Sequence, residues 1–418
     1  MGDKKSGAVK LFDNYSGGVQ TNRDAWVFNF SRSKLTRNVN KMIDKYSSEL
    51  LRFNSSIAPE NRSERSGIAA SFLDSDPSLI SWSRSLRADA VKNKPLEIDV
   101  SQVTESTYRP YTKQWMYFDR RLNEMVLQMP RLFPAADTEN LIITFKERWT
   151  GDGHFALITD SVLEQQTDGG AQCFPLYLYD EAAQQSDDGL FAGKPNVGPR
   201  RRDAITDAGL AHFHSAYPEE AISKEDLFYY VYGILHSPEY RERYADNLSK
   251  ELPRIPRVRT AQDFRRFSQA GRDLAALHLN YETVEKYPLT IDTTGKLTDA
   301  DYRVEKMKFA KVKDPATGKS VNDRSTVVYN GKITLRDIPE AAWGYIVNGK
   351  AALDWVMERQ AVRTDKASGI VNDANDWAIE TMHNPRYPLE LFQRVVTVSL
   401  ETQKIVASLP PLDIREDG

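Results

Sequence analysis

From Ser31 onward, Leu35, Val39, Met42, Ile43, Tyr46 and Leu50 recur at spacings of three, four and seven. That spacing marks one face of an α-helix. Arg32, Lys34, Arg37, Lys41, Lys45 and Arg52 fill the rest of the stretch and make it basic. A polar break over residues 54–67 follows, and the pattern then predicts a second helix over residues 78–90 carrying Arg84 and Arg87. From about residue 97 the texture is mixed. Residues 141–145 and 155–159 predict short buried strands joined through a Gly151-Asp152-Gly153 turn, and residues 174–179 a third.

Residues 223–250 hold the clearest helical grammar. Ser223-Lys224-Glu225-Asp226 resembles a capping box with Asp at its last position. It opens a run over residues 227–235 that is apolar almost all round and therefore predicts a buried helix. Ser237-Pro238 restarts a helix, serine as cap and proline in the first turn. Residues 263–279 predict another, with Phe264, Phe267, Leu274 and Leu277 on one side. The tail turns to strands over residues 302–312, 325–329 and 332–335, a meander whose second turn is Asn330-Gly331, a strong hairpin signal. Helices over residues 349–359 and 388–402 close the pattern. The predicted class is α+β: an N-terminal helical segment, then a mixed α+β domain with a β-meander near the C-terminus. The expected units are residues 1–100 and 101–418, with a sub-boundary near 285–300.

Composition narrows the function. The chain has 418 residues, 56 Lys+Arg against 59 Asp+Glu, and a net charge of −3, a balance that argues against a uniformly basic nucleic-acid binder. One cysteine, Cys173, excludes an internal disulfide and any multi-cysteine zinc site, and its apolar surroundings predict a buried thiol. Mean hydropathy is −0.56, and no apolar run approaches the length of a membrane span. A cytoplasmic protein with no membrane partner is the expectation.

The catalytic inventory is thin. His212 and His214 form a His-x-His that chelates metal when a third ligand is near, but none is evident and a structural role is favoured. Nucleophile-elbow, phosphate-loop and dinucleotide motifs are missing. The basic clusters carry more. Pro199-Arg200-Arg201-Arg202 reads as a loop with three guanidiniums, and residues 252–266 hold five arginines against one aspartate. Arg109, Lys113, Arg120 and Arg121 lie among Tyr108, Tyr111, Trp115, Tyr117 and Phe118. Arginine beside aromatics suits phosphate clamping and base stacking. The same arginines also suit pairing with the plentiful acids, and composition leaves both readings open.

Several segments resemble one family. Gln20-Thr21-Asn22-Arg23-Asp24-Ala25-Trp26-Val27-Phe28-Asn29-Phe30-Ser31 resembles the segment that follows the methyltransferase core in Type ISP restriction-modification enzymes. Tyr108-Arg109-Pro110-Tyr111 with Trp115-Met116-Tyr117 resembles the opening of their C-terminal specificity domain. The blocks 171–179, 226–244 with Leu252-Pro253-Arg254-Ile255-Pro256, 352–356 and 365–370 are similar to later ones, in order along nearly the whole chain. The adenine-gripping Asn-Pro-Pro-Tyr/Phe tetrapeptide is missing; Asn384-Pro385-Arg386-Tyr387 lacks its second proline. The S-adenosylmethionine loop and ATPase motifs are missing too.

The resemblance implies the C-terminal part of such an enzyme, beginning just after the adenine-N6 methyltransferase core, in a system of phage defence. It implies a target recognition domain that reads double-stranded DNA without a complete active site. No cofactor is expected in this chain; S-adenosylmethionine, ATP and Mg are implied for the parent enzyme. Methyltransferase and helicase/nuclease domains, in cis or in trans, are the implied partners. The candidate DNA contacts are Arg200, Arg201, Arg202, Arg254, Arg257, Arg259, Lys113 and Lys366, with bracing of a helix as the alternative for Arg254 and Arg257. Two other readings stay open: a module that reads DNA only when docked to a separate methyltransferase subunit, and an independent hydrolase.

Overall fold

The computed structural model describes residues 1, 9–146, 155–167, 169–180 and 199–415. The Ser31 hydroxyl accepts from the Lys34 amide and opens the helix Arg32–Ser56, whose six periodic apolar residues are all buried. The polar break after it is largely helical: Arg62–Phe72 forms a helix where no apolar periodicity announced one. Its organiser is Arg65, which is fully buried. The guanidinium stacks over Phe53 at 4.1 Å and donates to the carbonyls of Ile57, Ala90 and Val91, the C-terminal ends of two other helices. Those carbonyls have no partner within their own helices and attract a cation. The next helix spans Arg84–Val91, six residues later than its expected start. Ser83 is the better cap, accepting from the Leu86 amide, while Asp76 holds the preceding stretch in a turn by accepting from the Ser78 amide.

Two four-stranded sheets follow. One has the order β2-β4-β3-β7, from Phe28–Asn29 (β2), Val103–Arg109 (β3), Thr112–Tyr117 (β4) and Val162–Leu163 (β7). The other has the order β1-β8-β5-β6, from Ser16–Gly17 (β1), Ile142–Lys146 (β5), Leu157–Thr159 (β6) and Ala171–Pro175 (β8). The expected strand over 174–179 is therefore two. Pro175 has no amide hydrogen to continue the ladder, the Leu176 amide turns to the Leu141 carbonyl, and Tyr177–Asp180 (β9) starts a separate pairing. Its partner is Arg200–Asp203 (β10), so Arg200, Arg201 and Arg202 sit on a strand and not in a loop. The Gly151-Asp152-Gly153 turn and most of the acidic stretch before Pro199 lie outside the described residues. Cys173 is fully buried in β8.

The helix Lys224–His236 begins with the expected capping box, Ser223 and Asp226 bonding reciprocally. It packs on Ala261–Leu279 at close range, because Gly233 and Gly271 let the backbones meet. His212 and His214 lie on the helix Asp207–His214, and no metal-holding cluster occurs among the described residues. Beyond Tyr281 a second apolar core forms around Leu289, Val327, Trp343, Val356 and Phe392, distinct from the first around Phe12, Tyr46, Phe174 and Phe264. It is enclosed by a sheet of order β11-β14-β13-β12 and by the helices Ala352–Arg359 and Tyr387–Ala407. The strands are Thr290–Thr293 (β11), Lys308–Lys313 (β12), Ser320–Val328 (β13) and Ile333–Arg336 (β14). In the Asn330-Gly331 turn, the Asn330 carboxamide oxygen accepts from the amides of Lys332 and Ile333. No helix among the described residues is long and apolar enough to cross a membrane.

Candidate nucleic-acid interface

The eight candidate contacts fall into two groups. Arg200 and Arg201 are exposed on β10, with the Arg201 guanidinium 4.5 Å over the Tyr177 ring. Arg202 bridges two carboxylates, Asp180 and, at 2.7 Å, Asp13. The adjoining groove contains Asp13, Asp203 and Asp207 beside Arg201, Arg202 and Lys224, so its charge is mixed. Arg257 is buried: it donates to the carbonyl of His212 at 3.0 Å and to Ser215, holding the end of the Asp207–His214 helix. As placed, its guanidinium is used inside the protein, on a helix other than the one it follows in sequence. Arg254 pairs with Glu251 at 3.0 Å and Arg259 with Asp413 at 2.8 Å, both at the surface.

In the second group, Lys113 lies on the sheet β2-β4-β3-β7 and Lys366 on a hairpin beside it. Lys113 on β4 is held between Glu105 at 2.9 Å and Glu282 at 3.2 Å. Burial works against its charge, but the two carboxylates outweigh that and raise its pKa above the usual lysine range. Lys366 is exposed in the turn of the hairpin Val362–Thr364/Val371–Asp373. That hairpin lies against β2 and β4: Asn372 donates to Gln114 and accepts from the Phe30 amide, and Asn29 donates to the Val371 carbonyl. Between them lies a cleft of about 250 Å³ lined by Asp24, Tyr108, Gln114, Arg359, Arg363, Asp365 and Asn372 among others. Sequence reading missed this cleft, because its polar groups come from three distant segments. The Arg359 guanidinium sits between the rings of Tyr108 and Trp355, at 5.9 and 5.7 Å.

Arg109 serves architecture. It lies 4.0 Å over the Tyr108 ring, donates to Glu164 at 2.5 Å and approaches Asp24 at 3.7 Å, while the Tyr108 hydroxyl donates to Asp24. The network ties the segment around Asn22-Arg23-Asp24 to the Tyr108-Arg109-Pro110 corner. Burial pushes the Glu164 carboxyl up to about 7, against the pull of Arg109.

An α+β chain with this order of small sheets and helices is shared by solved DNA-bound enzymes. One is a nuclease-deletion mutant of the Type ISP restriction-modification enzyme LlaGI in complex with a DNA substrate mimic, 33% identical with a TM-score of 0.80. Another is the ATP-dependent Type ISP restriction-modification enzyme LlaBIII bound to DNA, 31% identical with a TM-score of 0.80. The DrdV–DNA complex is 31% identical with a TM-score of 0.76. Each match covers 99% of this chain but only 34%, 24% and 38% of those chains, respectively. The family model of the Type ISP C-terminal specificity domain matches residues 10–391. The chain belongs to that family. A search of the curated proteins finds no match.

Proposed function

We propose that this chain recognises a specific sequence in double-stranded DNA as the specificity part of a Type ISP restriction-modification enzyme, with a cytoplasmic location. The observation that carries the reading is the alignment of 99% of the chain, at 31–33% identity, with parts of enzymes solved on DNA. Phosphate contacts position such a domain and base-edge contacts give it selectivity. The chain spans about a third of those relatives, so S-adenosylmethionine, ATP and Mg belong, on this reading, to methyltransferase and helicase/nuclease domains outside it. Among the sequence-selected cations, Arg200, Arg201 and Lys366 are the ones that are both exposed and outside any ion pair among the described residues. The test is a salt titration of duplex binding by the full chain. Affinity should fall steeply and log-linearly with salt, and an Arg200→Ala/Arg201→Ala double variant should flatten the slope without lowering the melting temperature. No binding at low salt contradicts the reading; an unchanged slope in the variant removes β10 from the interface.

A further inference from the structure

A different set of cations stands free of the protein's own acids. Residues 306–324 contain six Lys or Arg against two carboxylates. Lys306, Lys308, Lys311, Lys313 and Lys319 are all exposed, and none makes an ion pair among the described residues. Lys308, Lys311 and Lys313 lie on β12 and Lys319 in the turn before β13, while Lys306 just precedes the β12–β13 ribbon. At its base Lys308 faces Val328 and Phe309 faces Val327, next to the core. Between Phe309 and Ala310 the register shifts past Arg324, Ser325 and Thr326. Such irregularities bend and twist a ribbon. Beyond the shift, Ala310 faces Asp323, Lys311 faces Asn322, Val312 faces Val321 and Lys313 faces Ser320.

This outer part leaves the core altogether. Val312 and Val321 are 46% and 38% exposed, so the apolar face of the ribbon packs on little. Alternation puts Lys311, Lys313, Ser320 and Asn322 together on the opposite face. Four residue pairs span three strand rises, about 10 Å, before the turn is counted. The turn is fixed rather than loose. The Asp314 carboxylate accepts from the amides of Ala316 and Thr317, and Gly318 takes a φ of +68° that glycine adopts without strain. Asp314 is thereby occupied by backbone and held below the usual carboxylate range, and does not pair with the lysines around it.

We propose that the β12–β13 ribbon enters the major groove of duplex DNA, with Lys311, Lys313 and Lys319 on phosphates and Ser320 and Asn322 facing base edges. This rests on the DNA-recognition reading and deepens it by naming the reading element. The major groove, about 12 Å wide and 8.5 Å deep, admits a two-stranded ribbon, and the ribbon's reach exceeds its depth. Unpaired lysines gain the full benefit of displacing counterions from phosphates. Arg202, by contrast, must first leave two carboxylates. An asparagine carboxamide matches the donor–acceptor pair of adenine in that groove. In the free protein Asn322 accepts from Lys311 across the ribbon, which holds both side chains on the reading face.

Two variants of the full chain test this: Lys311→Ala/Lys313→Ala/Lys319→Ala, and Asn322→Ala. Binding is measured over a range of salt to a duplex selected from a random pool and to an unselected duplex. The side chains are exposed, so both variants should melt with the wild type. The triple variant should weaken both complexes at least tenfold at low salt and flatten the log–log slope by about 0.9 for each phosphate no longer neutralised. Asn322→Ala should keep the slope and lower the selected-to-unselected ratio about tenfold. If the wild type binds neither duplex, the DNA reading itself fails and takes the ribbon with it. If the wild type binds and both variants match it in slope and ratio, the reading stands and the ribbon's role is overturned.

Discussion

His278 shows how a single side chain is fixed from three sides. Its Nδ1 lies 2.6 Å from the Tyr232 hydroxyl, its Nε2 lies 2.9 Å from the Thr402 hydroxyl, and its ring stacks on Tyr345. Burial pushes its pKa down to about 3, and burial with Arg241 and His278 as neighbours pushes His236 well below its ordinary value. Both folded-state values lie below the unfolded value of about 6.5. The stabilisation is therefore complete above about pH 6.5 and lost as pH falls toward the folded values. Each histidine contributes about 1.4 kcal/mol per pH unit in that window. Denaturant titrations of the wild type and His278→Gln at pH 7 and pH 5 check this: the variant should lose less stability between the two pH values than the wild type, and an equal change in both would show that the His278 ring is not buried in neutral form. None of this was legible in the sequence, which showed scattered histidines and no partner. Arg65 was hidden for the same reason. A charged residue reads as surface, and only the carbonyl ends of the two flanking helices make it core.

At the scale of elements the legible parts were those whose signal is local. The spacing of Leu35, Val39, Met42 and Tyr46, the Ser223–Asp226 box and the Asn330-Gly331 turn each contain their whole instruction within a few residues. What depends on partners was not legible. β10 is a strand because β9 lies beside it, and its three arginines spell a loop when read alone. The crossing of Lys224–His236 with Ala261–Leu279 was equally silent. A Cβ on Gly271 would stand 1.9 Å from the Tyr229 carbonyl oxygen, and one on Gly233 would stand 2.2 Å from that of Phe267. The glycines are there for contact rather than for flexibility. Gly271→Ala should force the helices apart and cost about 3 kcal/mol, the upper range for overpacking a core; a thermal or urea melt like the wild type's would show that the crossing is looser than described.

For the whole molecule, the near-neutral net charge conceals a division of labour among cations. Arg202, Arg254, Arg259 and Lys113 meet carboxylates of the protein itself, and Arg257 is turned inward. Arginines that cluster in sequence are partly balanced by acids that are near them only in space. The lysines of β12 and its turn alternate with apolar residues and draw less notice, yet like Arg200, Arg201 and Lys366 they make no ion pair among the described residues. The family was legible because its blocks recur in order over nearly the whole chain; the contact residues were not, because pairing is decided in three dimensions. Whether this chain selects a sequence in duplex DNA is measured most directly by selection from a pool of random duplexes. The full chain is used, at the lowest salt that still discriminates. One short motif should be enriched over successive rounds; a retained pool with no motif, or no retained duplex at all, would contradict sequence-specific recognition.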